Sequence, residues 1–161
     1  MKRKTAKDLM IIHRPLMQAD IRNKNGRIYP QYLFQRELAR LQEKIDNKQL
    51  MGELGHPDSF DIHFKNVSHT INNLYLTYPK FPRKKKKAMK KAGIYSKTLM
   101  KGIITLLKTE KGIAASKIIT ELVPAARGIG TLDENGVVND DFKLLTFDLI
   151  PKEKDSFKKI R

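Results

Sequence analysis

The sequence contains no cysteine and no tryptophan among its 161 residues. Without cysteine the chain forms no disulfide bond and has no thiolate to act as a nucleophile or as a metal ligand. This composition fits a reducing compartment. Disulfide-stabilised secreted scaffolds and cysteine-dependent enzymes are therefore excluded.

Long apolar runs are also missing from the sequence. No stretch approaches the roughly 20 apolar residues that cross a bilayer. The segment at residues 1–15, MKRKTAKDLMIIHRP, has basic residues but only a short apolar run and no small-residue cleavage site typical of a secretory signal. We expect a cytosolic protein, and the length of residues 1–161 suits one domain with its own core.

Acidic residues are scarce, because 17 of them face 33 lysines and arginines and leave a formal net charge of +16. Such an excess favours association with polyanions, whether nucleic acid, an anionic surface or an acidic protein. The segment at about residues 79–92 contains seven positive charges and no acid within PRKKKKAMKK. We interpret this segment as a solvated basic loop insertion, with weak polyanion or DNA contact as the alternative role of Lys84, Lys85, Lys86 and Lys87.

The hydrophobic pattern predicts more strands than helices. Phe34, Leu38, Leu41 and Ile45 recur at helical spacing after Pro30. A second helix is predicted from about Thr109 to Leu122. Extended segments are predicted at 9–21, 65–78, 93–107 and 142–150. This alternation predicts an α+β fold, with a bent antiparallel sheet or β-barrel flanked by helices.

The histidines are the first candidates for chemistry. The segment HPDSFDIH lacks an established zinc spacing, so we predict no metal site and no cofactor. His56 lies in GELGHP, where glycines permit unusual backbone angles and Pro57 stiffens the exit. Such a segment can hold a general base in one orientation. From the residues alone, however, a purely structural role remains open for His56 and for His69 in the strand that follows.

The motif AARGIG at residues 125–130 follows a predicted helix and precedes the turn signal DENG. We interpret it as a loop whose backbone amides can converge on an anion, for example at an oxyanion hole. A plain turn is equally consistent with so short a match. The motif lacks the third glycine and the preceding strand of a dinucleotide-binding fingerprint.

Five motifs together resemble a known family. NKNGRIYP, GELGHP, NVSHTI, ARGIGTL and VVNDDFKLLTFDLI occur here in the order and spacing found in the prohead proteases of T-even-type tailed phages. The resemblance covers roughly residues 17–151. It implies a capsid-maturation serine protease, similar in fold to the herpesvirus assemblins.

The resemblance also implies roles for individual residues. His56 matches the general base, and Asp148 in TFDLI matches the acidic third member. The nucleophilic serine of the family falls on Ala125, and a second serine falls on Ala126. The backbone after Ala125, with Ala126, Arg127 and Gly128, matches the oxyanion site. His69 matches a shared Val-Ser-His motif and is given a supporting role.

The implied substrates are scaffold proteins, capsid proteins and the protease itself, cleaved inside the prohead in the host cytoplasm, with a preference for glutamate before the scissile bond. Self-association is a further expectation. Because a methyl group cannot attack a carbonyl, we expect this chain to be inactive. An engineered Ser-to-Ala replacement explains why the other site residues remain. The alternative is a naturally non-catalytic internal head protein that binds scaffold or nucleic acid.

Overall fold

A computed structural model describes residues 10–78, 80–91 and 98–156. Within these residues the chain forms six strands and three helices, and no helix is long and apolar enough to cross a membrane. The elements are, in order, β1 (Ile11–Gln18), α1 (Gln31–Asp46), β2 (Met51–Glu53), β3 (Val67–Thr77), α2 (Arg83–Lys91), β4 (Leu99–Leu106), α3 (Glu110–Lys117), β5 (Leu122–Ile129) and β6 (Lys143–Pro151). The predicted α+β class is confirmed.

The strands form two antiparallel sheets that share one core. The larger sheet has the order β1-β4-β3-β2, and β5 pairs with β6 in the smaller one. A parallel bridge between Leu54 and Leu149 connects the end of β2 to β6, and β5 contacts β1 at the opposite side. The six strands therefore curve around the core, which is the bent arrangement that the sequence predicts.

Helix α1 begins one residue after Pro30 and covers one side of this core. Of the predicted apolar residues, Phe34, Leu41 and Ile45 are buried and Leu38 is partly buried against the same core, so the predicted helical spacing is confirmed. Its buried Glu37 accepts a hydrogen bond of 2.9 Å from the backbone N–H of Leu144. This contact ties α1 to the start of β6, the strand that carries Asp148.

The basic segment is not a loop over the residues described, because Arg83–Lys91 forms helix α2. Lysine is a good helix former, and Met89 is only 3% exposed in a small cluster with Ile21 and Phe81. One apolar anchor is thus enough to order a segment that composition alone assigned to solvent. Residues 79 and 92 lie outside the described ranges, as do residues 93–97 of the extended segment predicted before β4.

The expected loop at residues 125–130 was also wrong, because Leu122–Ile129 forms strand β5. The preceding helix ends earlier than predicted: α3 stops at Lys117, and a 3-10 turn follows at Ile119–Glu121. Small residues weaken the local strand signal, but pairing with β6 satisfies the backbone and decides the conformation. Strand β2 was missed for a similar reason, since it has only three residues, one of them Gly52, and Gly55 follows two residues later.

Candidate active site

The register of β5 on β6 separates the two alanines of the motif. Ala125 lies opposite Asp148, and Ala126 lies opposite Phe147. Because side chains alternate between the faces of a strand, Ala125 shares a face with Asp148, whereas Ala126 shares the other face with Phe147. Phe147 is fully buried, and Ala126 packs against the same core cluster. Only Ala125 therefore faces the carboxylate.

His56 reaches this carboxylate from the end of β2. Gly55 has φ of +92°, a conformation that L side chains rarely adopt, and its N–H donates to the carbonyl of Leu149 at 2.8 Å. The chain turns there and brings His56 Nδ1 to 3.0 Å from Asp148 Oδ2. Asp148 is fully buried, but His56 is 43% exposed. The ring thus has one nitrogen at the carboxylate while part of its surface meets solvent.

The side chain of Arg127 contacts the carboxylates of Glu53 and Asp148 and does not belong to the predicted anion-binding loop. Its Nη2 lies 2.7 Å from Glu53 Oε2 and 2.8 Å from Asp148 Oδ1, and its side chain is only 4% exposed. Its Nη1 donates to the carbonyl of Asp61 at 2.9 Å and to that of Ser59 at 3.3 Å. The guanidinium of the motif therefore belongs to a buried ionic cluster. Gly128 is exposed and pairs with Leu144 just beyond a register shift after Arg127.

Glu53 and His63 complete the cluster, and the sequence did not assign either of them to it. Glu53 is fully buried, and its Oε1 lies 3.3 Å from His63 Nδ1. A signal was present: Glu53 is the one charged residue among the glycines and apolar residues of GELGHP, where a buried acid needs a partner. His63 does not join His56 in lining the cavity described next.

An open cavity of about 590 Å³ lies over Ala125. Its described lining includes His56, Ala125 and Ala126 on one side and Leu16 and Met17 of β1 on the other. A second cavity of about 420 Å³ also reaches Pro124 of β5, and its lining includes the basic residues Arg14, Lys24 and Lys152. These volumes suit peptide side chains. The first of the two cavities leaves open space beside Ala125 and His56.

His69 lies beneath the site and is not among the described residues that line either cavity. Its Nε2 is 2.7 Å from the carbonyl oxygen of Phe147, and its Nδ1 is 2.8 Å from Ser68 Oγ. Because a carbonyl only accepts, Nε2 carries the proton and the Ser68 hydroxyl donates to Nδ1. A Cβ at Gly52 would be 2.2 Å from this Nε2, so only glycine fits there. His69 thus holds the β6 backbone one residue before Asp148.

His69 also makes the fold sensitive to acid. Burial lowers the pKa of His69 to about 4, against the opposing effects of the Phe147 hydrogen bond and the Asp148 charge. Between pH 6.5 and about 4 the unfolded chain binds this proton and the folded chain does not, so stability falls as the pH falls. We expect the free energy of unfolding to drop by about 3 kcal/mol across this window.

Urea unfolding at pH 7 and at stepwise lower pH measures this loss. Carbon-13 NMR of the His69 ring assigns it, because the ring should keep its neutral signals while stability is already falling. A ring that takes up a proton at its ordinary pKa of 6.5, with no change in the unfolding free energy, would contradict the prediction.

Two comparisons with known proteins gave matches. The family model described as prohead core protein serine protease matches residues 2–150. Among solved structures, the capsid assembly protease gp21 of bacteriophage T4 is similar with a TM-score of 0.67 and 22% sequence identity, over 88% of this chain and 81% of that chain. At this identity the likeness shows a shared fold. A comparison with curated protein sequences gave no match.

Proposed function

Since the chain belongs to the prohead core protein serine protease family, we propose that it is a capsid-maturation endopeptidase whose catalytic form carries serine at position 125. One observation carries the proposal. Position 125 and His56 line the same cavity, and both lie against the buried Asp148, opposite Ala125 in register and 3.0 Å from His56. A nucleophile, a base and an orienting acid need this mutual placement.

The reaction proposed is acyl transfer. His56 Nε2 takes the proton of the serine hydroxyl as its oxygen bonds to the scissile carbonyl carbon, while Asp148 holds the proton on Nδ1. The same proton then passes to the leaving amine as the peptide bond breaks. Water releases the acyl group by the reverse sequence. Backbone amides of the segment Ala126, Arg127 and Gly128 would stabilise the oxyanion, as the family resemblance implies. His69 supports the β6 backbone.

The substrates proposed are scaffold and capsid proteins and the chain itself, inside the prohead in the host cytoplasm. The cavity beside Pro124 favours an acidic residue of the substrate, because its lining has three basic residues, Arg14, Lys24 and Lys152, against one acid, Asp155. This charge matches the glutamate preference that the family resemblance implies. A non-catalytic head protein that binds scaffold could use the same basic surface. The labelling test described next distinguishes the two functions.

Covalent labelling tests the proposal directly. The Ala125→Ser protein should gain one phosphonyl group from a fluorophosphonate probe, as read by intact mass. Ala126→Ser is the matched control, because it adds the same hydroxyl one residue away on the core-facing side. Loss of labelling after a further His56→Ala change would assign the base. An Ala125→Ser protein that reacts no better than Ala126→Ser would contradict the proposal and favour a binding role.

We also propose that α2 makes weak, non-specific contact with polyanions. It carries seven positive charges and no acid, and none of them forms an ion pair within the described part of the chain. Lys85 Nζ lies 4.9 Å from the Phe81 ring centroid, so this contact leaves its charge uncompensated by an acid. Unpaired like charges at helical spacing oppose helix formation, and a polyanion would relieve that repulsion.

Glutamine at Lys84, Lys85, Lys86 and Lys87 should weaken binding to duplex DNA or heparin and make it less dependent on salt. The magnitude of the slope of log K against log salt should fall by up to about 3.6, because each of four phosphate contacts contributes about 0.9. The matched control places glutamine at four exposed lysines elsewhere, Lys44, Lys48, Lys108 and Lys117, with the same net charge. Equal slopes for the two variants would assign binding to overall charge and contradict a role for α2.

A further inference from the structure

We infer that Glu53 and Arg127 are positioning residues that hold Asp148 with Oδ2 turned toward His56, and that His63 supports Glu53 from the opposite end. The inference rests on the proposed function, in which His56 is the base. It concerns a chain of contacts that runs from His56 through Asp148, Arg127 and Glu53 to His63.

The two oxygens of Asp148 have different surroundings. Oδ1 accepts from Arg127 Nη2 at 2.8 Å and from the backbone N–H of Glu53 at 3.0 Å. Oδ2 is buried and receives no such hydrogen bond within the described residues, and His56 Nδ1 lies 3.0 Å from it. Two donors on one oxygen fix the rotation of the carboxylate. The second oxygen is therefore left to the imidazole.

Glu53 fixes the guanidinium that supplies one of those donors. Arg127 Nη2 has two protons and two carboxylate neighbours, Glu53 Oε2 at 2.7 Å and Asp148 Oδ1 at 2.8 Å. Nη1 is held by the Asp61 and Ser59 carbonyls. Without Glu53, the guanidinium would keep only one carboxylate and could turn further onto Asp148. Its planar fork, which a lysine ammonium lacks, is what bridges the two acids.

Glu53 also sets the charge around His56. One arginine with two buried carboxylates leaves one net negative charge in a site of low exposure. That charge favours the imidazolium that His56 becomes when it takes the serine proton. With glutamine at position 53, the arginine would cancel the Asp148 charge.

His63 contacts Glu53 in the way that His56 contacts Asp148, with its Nδ1 close to a buried carboxylate oxygen. Its Nδ1 lies 3.3 Å from Glu53 Oε1, a buried oxygen with no hydrogen bond within the described residues. Half of its side chain is exposed, and it is outside the described lining of the main cavity. His63 thus acts on the site through Glu53 and does not touch substrate there.

The first test uses the chain as it stands, with Ala125, so it is independent of catalysis. Nitrogen-15 NMR of the His56 ring, at a pH where the ring is neutral, should show the proton fixed on Nδ1. Glu53→Gln and Arg127→Lys should each produce a mixture of the two tautomers. Arg127→Lys keeps the charge and loses the fork, so an unchanged tautomer in both variants would overturn the inference.

The second test measures kinetics in the Ala125→Ser protein. Glu53→Gln should lower kcat by about 10- to 100-fold with KM little changed, because misplacing a catalytic group costs on this order. Glu43→Gln, an exposed acid-to-amide change on α1, is the matched control. A normal kcat per folded molecule would overturn the inference. An inactive Ala125→Ser protein would instead reject the proposed function, and the tautomer measurement would still decide the positioning role.

Discussion

Serine at position 125 should raise the rate of peptide-bond cleavage by about six orders of magnitude over the chain as it stands, since removal of a triad nucleophile costs about this much. The methyl group of Ala125 has no lone pair with which to attack a carbonyl. The rest of the site is already in place, with His56 Nδ1 3.0 Å from Asp148 Oδ2. The serine oxygen would be added on the face of β5 that Asp148 shares. Self-cleavage and cleavage of scaffold protein, followed by intact mass, measure the gain.

A hydroxyl at two other places near Ala125 in the sequence, at position 126 in a variant and at Ser116 in the chain itself, should not replace one at position 125. Ala126→Ser should remain inactive, because that side chain faces Phe147 and the core. Ser116 lies on α3, where its hydroxyl donates to the carbonyl of Ile113 at 2.6 Å, and it offers no substitute nucleophile. Equal cleavage by the Ala125→Ser and Ala126→Ser proteins would contradict the assignment of position 125. Cleavage that survives His56→Ala would contradict the assignment of the base.

The elements that the sequence predicted are those whose signal is local. Helix α1 shows its apolar spacing within a few turns, and β3 shows a run of strand-forming residues. Strand β5 and helix α2 were interpreted as loops because their local composition is misleading. Alanine and glycine dominate part of β5, and its conformation depends on β6, which follows later in the chain. Helix α2 depends on Met89 reaching Ile21, a contact that no short segment reveals.

The candidate site divides in the same way. The contact between His56 and Asp148 agrees with the pairing that the family resemblance implied, but their catalytic roles stay a prediction. The ionic cluster was not foreseen, because Arg127 was interpreted through its glycine neighbours and assigned to an oxyanion loop. Its side chain instead meets Glu53 and Asp148, which come from two other strands. A sequence read segment by segment shows an acid at position 53 among glycines and apolar residues, but neither its burial nor the cation that compensates it.

Asparagine at position 148 should lower kcat of the Ala125→Ser protein by about four orders of magnitude, as in a serine protease whose histidine is held in the wrong tautomer. The reason lies in the unequal oxygens of Asp148. Arg127 and the Glu53 N–H both donate to Oδ1, so the amide oxygen of asparagine would take that place. The amide NH₂ would then face His56 Nδ1, where it forces the proton onto Nε2. A protonated Nε2 cannot accept the serine proton.

Kinetics and nitrogen-15 NMR of His56 together test this reversal. The Asp148→Asn protein should stay folded, lose turnover, and show the His56 proton on Nε2. Asp46→Asn, a change on the exposed end of α1, is the matched control and should leave both properties unaltered. Full turnover by the Asp148→Asn protein would remove Asp148 from the mechanism. If turnover is lost while the proton stays on His56 Nδ1, Asp148 acts through its charge alone. The orientation of its two carboxylate oxygens would then have no effect on kcat.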